Sequence, residues 1–77
     1  MRELIEFLAK SLVDNPDEVQ TRTYERGGQG TVVELEVAPA DLGKVIGRQG
    51  RTARAIRTLL SAAGQKTRRR YSLDIVD

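Results

Sequence analysis

The chain has no cysteine and no histidine among its 77 residues. The first absence excludes disulfides and thiolate metal sites and fits a reducing cytoplasm. The second removes the commonest general base and the commonest metal ligand. Ser11, Ser61 and Ser72 therefore lack a base, and the acids form no recognisable catalytic pair. Neither a P-loop nor a G-x-G-x-x-G run is present. Aromatics are limited to Phe7, Tyr24 and Tyr71, too scattered for a sheet-face platform that stacks bases. No apolar run approaches the roughly 18–20 residues of a bilayer-spanning helix. Glu3 and Glu6 lie where a signal peptide would be cleanly apolar. The expectation is a soluble, noncatalytic, cytoplasmic domain over residues 1–77, with no cofactor and no metal, and a small core.

What the chain does have is segregated charge. Residues 1–43 carry four Lys/Arg against nine Asp/Glu, a net of −5. Residues 44–70 carry nine positive charges and no acid, and residues 71–77 carry a net of −2. A nearly neutral chain with one strongly basic stretch points to a polyanion partner, single-stranded nucleic acid above all.

Apolar spacing divides the chain into elements. Leu4, Ile5, Leu8 and Leu12, with Phe7 at one edge, predict a helix over 2–13, and Asp14-Asn15-Pro16 ends it. A polar alternation over 19–24 and a stronger one over 31–37 predict two strands joined at Gly27–Gly30 as an antiparallel hairpin. Pro39 suits the start of a short helix over about 40–46. A second helix runs from about 51 to Ala63, with Ala53, Ile56, Leu59, Leu60 and Ala63 as its stripe and Gly64 as its stop. Tyr71, Leu73 and Ile75 alternate as a last strand. The order is helix–strand–strand–helix–helix–strand. Its helical crossover predicts a last strand parallel to 31–37, within an α+β two-layer domain.

Between the two later helices lies Gly47-Arg48-Gln49-Gly50. Gly-x-x-Gly alone is weak evidence, since Gly27–Gly30 also fits it and serves as a hairpin loop. Position distinguishes the second copy. It opens a helix, where backbone N–H groups lack partners and the dipole is positive, and glycines let a phosphodiester approach closely. Arg51 and Arg54 fall in the first turn of that helix, where cations cost about 0.3–1 kcal/mol each. Wrong-sign charge there makes sense when an anion sits nearby. Lys66, Arg68, Arg69 and Arg70 form a second basic cluster, readable as a solvated loop or as extra phosphate attraction. Of Val45 and Ile46, one could floor a groove for bases, although core packing is the default for both.

The run Val45-Ile46-Gly47-Arg48-Gln49-Gly50-Arg51-Thr52-Ala53 resembles a K-homology (KH) domain, and the element order resembles its type II, bacterial arrangement. The stretch from Val37 to Gly47 and the Ser61-Ala62-Ala63 helix end extend the likeness over nearly the whole chain. The resemblance implies a three-stranded mixed sheet with helices on one face. It also implies that Gly47–Gly50 clamps the backbone of about four single-stranded nucleotides, with Ile46 near the bases. Homodimerisation, pairing with a second KH-containing protein, and roles in RNA regulation or as an RNA chaperone are further implications of the family.

The leading reading is thus a single-stranded RNA-binding module with Lys44, Ile46, Gly47, Arg48, Gln49, Gly50, Arg51 and Arg54 at its site. A helix-turn-helix reader of duplex DNA is the competitor. It is disfavoured because strands flank the helices and the second helix opens with Arg and small residues rather than a varied base-reading set. An interaction module whose basic segment meets an acidic protein is the third possibility.

Overall fold

The structure, a computed structural model, describes residues 1–76. Helix α1 spans Arg2–Leu12, strand β1 Gln20–Glu25, strand β2 Thr31–Glu36, helix α2 Leu42–Ile46, helix α3 Arg51–Thr67 and strand β3 Tyr71–Ile75. The sheet order is β1-β2-β3, with β1 antiparallel and β3 parallel to β2. The expected α+β order and the mixed three-stranded sheet are therefore found.

One face of the sheet meets the helices. Val33, Leu35 and Val37 from the β2 region and Leu73 from β3 join Ile5 and Ala9 of α1, Val45 of α2, and Ile56 and Leu60 of α3 in a single cluster. Alternation in the strands and 3.6-residue spacing in the helices bring these side chains to one layer. Each fully buried Ile, Leu or Val contributes about 1.5–3 kcal/mol of transfer free energy.

Helix α1 departs from its expected stripe. Ile5 and Ala9 are buried and Leu8 packs against the core, whereas Leu4, Phe7 and Leu12 are exposed. Val13 is already extended, and Pro16–Glu18 forms a single 3-10 turn before β1. Strand β1 is an edge with only Thr21 partly covered. Val32 is 2% exposed although it points away from the helices. In register it lies between Tyr24 of β1 and Ser72 of β3, which flank it in the centre of the sheet.

Helix α3 runs past its expected end. It continues through Gly64 to Thr67 and closes on Arg68 in the left-handed region at φ 57°. The Arg69 amide donates to the Gly64 carbonyl at 2.8 Å and the Arg68 amide to Gln65 at 3.4 Å. That pair is a Schellman closure with arginine at the position glycine usually takes. Gly64 is needed for close approach rather than for stopping the helix. Leu59, expected in the stripe, is 51% exposed, and the buried stripe is Ala53, Ile56, Leu60 and Gly64.

Candidate nucleic-acid interface

Helix α2 is only five residues long and is held from outside by one carboxylate. Asp41, 1% exposed, accepts hydrogen bonds from the Asp14 amide at 3.3 Å and from the Asn15 amide and Nδ2 at 3.0 Å each. Burial by itself would raise the Asp41 pKa. The Asn15 side chain, the two amides and the nearby Lys44 ammonium outweigh it, and the carboxyl ends below its ordinary value. The turn after α1 is thereby fastened to the start of α2. The sequence gives little sign of this clamp, because its partners lie 26 and 27 residues apart.

Past α2 the chain makes a knuckle. Gly47, Gln49 and Gly50 all have positive φ, at 79°, 57° and 73°. The Gly50 amide donates to the Gly47 carbonyl at 3.0 Å, and the Arg51 amide donates to Arg48. A β-carbon at Gly47 would stand 2.3 Å from Thr52 Oγ1 and 2.7 Å from the Thr52 nitrogen. At Gly50 the same addition meets open space, so only its φ demands glycine. Holding Gln49 left-handed costs about 1–2 kcal/mol. Strain of that kind collects where the chain presents itself to a ligand.

The knuckle opens α3 without a side-chain cap, and no acid stands in the first turn of the helix. Arg48, Gln49, Arg51 and Arg54 are all exposed. Among the described residues none of the arginines 48, 51, 54 and 57 takes part in an ion pair. Ile46 is half-buried beside the knuckle, while Val45 is fully buried. Of the two, Val45 belongs to the core and Ile46 keeps part of its side chain at the surface.

Seven of the eight residues read from the sequence thus gather at one place. Lys44 differs: its ammonium is paired with Asp14 and lies 3.7 Å from Asp41. The Asp14 contact drives its pKa above the ordinary amine value, against a smaller opposing effect of burial. With Lys44 and Asp14 both open to solvent, a pair of this kind adds little stability, and it ties the turn after α1 to α2.

The flanks of α3 differ in kind. The residues just after each buried position are Arg54, Arg57, Ser61 and Gln65, so one flank is polar and basic. The residues just before are Thr52, Ala55, Leu59 and Ala63, so the other is mostly apolar. Arg57 was legible through its three-residue spacing from Arg54, since both fall one step past the core stripe.

Residues 2–75 match the family model described as KhpA/KhpB, KH domain. The chain is 57% identical over 75 residues to the RNA-binding protein KhpA of Borreliella burgdorferi, covering 97% of this chain and 90% of that one. It is 51% identical to the RNA-binding protein KhpA of Caldanaerobacter subterraneus, with 99% of this chain and all of the relative covered. Against the protein of that name from Halalkalibacterium halodurans the identity is 48% over the full length of both.

Proposed function

We propose, on the premise that the chain belongs to the KhpA/KhpB family of KH domains, that it is a noncatalytic binder of single-stranded RNA. Gly47–Gly50 clamps the sugar–phosphate backbone of about four nucleotides. Gly47 and Gly50 let the strand approach, and Arg48, Gln49, Arg51 and Arg54 donate to its phosphates. Ile46 offers an apolar contact to a base. Lys44 adds charge at the edge of the contact set, where Asp14 and Asp41 share its ammonium.

One observation carries this reading: three exposed arginines, unpaired among the described residues, surround a left-handed knuckle at the uncapped start of a 17-residue helix. A structural connection would place acids there. The test is the double variant Arg48→Asp with Gln49→Asp, titrated against a labelled single-stranded RNA by fluorescence anisotropy. Binding should be lost while the thermal midpoint stays put, because both side chains are exposed. Unchanged affinity would overturn the proposal, and preference for duplex DNA over RNA in competition would favour the helix-turn-helix reading instead.

The protein acts in the cytoplasm as a post-transcriptional regulator or RNA chaperone, and it works as a homodimer or paired with a KhpB-like KH protein. Support for self-association comes from the exposed apolar residues Leu4, Phe7 and Leu12 on α1 and Leu59 on α3.

A further inference from the structure

A second concentration of positive charge lies at the far end of α3. Helix α3 is 17 residues long, so Arg68 stands about 25 Å along its axis from the knuckle at 1.5 Å per residue. Arg68, Arg69 and Arg70 are exposed and, among the described residues, form no ion pair. They border a concavity of about 420 Å³ whose remaining wall includes Ser61, Gln65 and Tyr71.

This cluster is held in place rather than flopping on a loop. The Arg69 amide is fixed to Gly64, and the Arg70 carbonyl accepts from the Thr31 amide at 2.9 Å. Arg68 occupies a left-handed position at which glycine would be free of strain. Arginine costs about 1–2 kcal/mol there, a local rule broken in favour of charge. Ser61 and Gln65 continue the flank that Arg54 and Arg57 begin, and Arg68 follows Gln65 at the next three-residue step. Basic and hydrogen-bonding side chains therefore run from the knuckle to the concavity along one side of a single rigid helix.

We infer that Arg68, Arg69 and Arg70 form a second phosphate-binding site for the same RNA strand, which leaves the knuckle and follows the Arg54–Arg57–Ser61–Gln65 flank of α3. The inference rests on the RNA-binding reading and extends it from a clamp of four nucleotides to a longer track. Stacked nucleotides advance about 3.4 Å each along a strand, so the 25 Å path adds roughly seven. The footprint is then about eleven nucleotides, with Tyr71 at the distal concavity in reach of a terminal base.

The experiment uses the full chain, isotope-labelled, with oligouridylates of five and twelve nucleotides. Amide chemical shifts should move only around residues 46–57 with the short oligomer and should spread to 61–71 with the long one. In the variant R68Q/R69Q/R70Q the long oligomer should act like the short one. Its affinity for the twelve-mer should fall most at 0.05 M salt, and the deficit should shrink about eighteenfold on going to 0.2 M, because losing three phosphate contacts at about 0.7 each lowers the log–log salt slope by about 2. A second variant, Arg69→Gln with Arg70→Gln, leaves the left-handed Arg68 in place and should show the same loss in smaller measure with an unaltered fold.

A twelve-mer that moves no amide beyond residue 57 in the natural protein overturns the track. So does a triple variant that binds the twelve-mer with the natural affinity and salt slope, the result expected if the cluster serves an acidic protein. If neither oligomer perturbs the natural protein anywhere, the RNA reading itself fails, which is a different outcome from losing the second site alone.

Discussion

The carbonyl oxygen of Arg69 sits over the α-carbon of Gly64, so close that a β-carbon there would stand 2.2 Å from it. Helix propensity favours alanine over glycine by about 1 kcal/mol in a helix interior. Contact with a backbone atom opposes that gain, because the Schellman turn must open to make room. Gly64→Ala should therefore destabilise the domain by about 1–3 kcal/mol, the usual range for overpacking. Urea denaturation followed by circular dichroism checks it; a gain in stability would mean that the turn yields freely.

The neighbouring position should respond in the opposite sense. Arg68 holds φ 57° at the end of α3, where glycine relieves the strain of a β-carbon. Arg68→Gly should raise stability by about 0.5–1 kcal/mol in the same denaturation series, while removing one cation of the distal cluster. Stability and RNA affinity moving in opposite directions is the signature of a charge kept at a structural cost.

The knuckle separates its two glycines. Gly47 is bound both by φ 79° and by Thr52, while Gly50 faces open space with φ 73°. Gly50→Ala should lose about 1–2 kcal/mol from left-handed strain alone. Gly47→Ala should lose more, since the Thr52 side chain and amide block the added carbon. Thermal melts of the two variants give the ranking, and equal losses would contradict it.

These cases mark how far the sequence could be read. Element order, strand pairing and the knuckle were all legible, because 2.0- and 3.6-residue periods and glycine pairs are local signals. The site residues from Ile46 to Arg54 came together for the same reason: they are contiguous. Long-range relations were hidden. Nothing near Lys44 shows that Asp14, thirty positions away, holds its ammonium. Gly64 reads as a helix stop until the returning Arg69 carbonyl is seen above it. Leu59 fits the apolar stripe by spacing, yet it falls one step before the buried Leu60 and stays open.

The Asp41 clamp predicts an acid response with a definite sign. Its carboxyl titrates below the ordinary value in the folded protein. The stability it contributes is present above the unfolded pKa of about 3.9 and is lost as pH falls through the lower folded value. Asp41→Asn keeps the shape but removes the charge and replaces one acceptor oxygen with a donor. That variant should melt lower at neutral pH and should lose less on going to acid than the natural chain. Lys44 gives the alkaline counterpart: its raised pKa means a contribution present below the ordinary 10.5 and lost as pH rises through the folded value. Melting midpoints across pH 2–6 decide the first claim; parallel curves for Asp41→Asn and the natural chain would refute it.

Leu59 separates folding from association. About half exposed, it adds little to the monomer's own core, so Leu59→Glu should change stability by no more than about 1 kcal/mol. Set within the apolar flank formed with Ala55 and Ala63, the same carboxylate would be buried without a partner in any interface built there, a strongly unfavourable state. If α3 supplies the dimer contact, sedimentation should shift from dimer to monomer with circular dichroism unchanged. The basic flank lies on the other side of the buried stripe and Leu59 stands about two turns of α3 beyond the knuckle, so the monomer should keep its affinity for a five-nucleotide RNA. A variant that still sediments as a dimer would move the contact to the Leu4, Phe7 and Leu12 surface of α1, where Phe7→Glu would be the change that dissociates it.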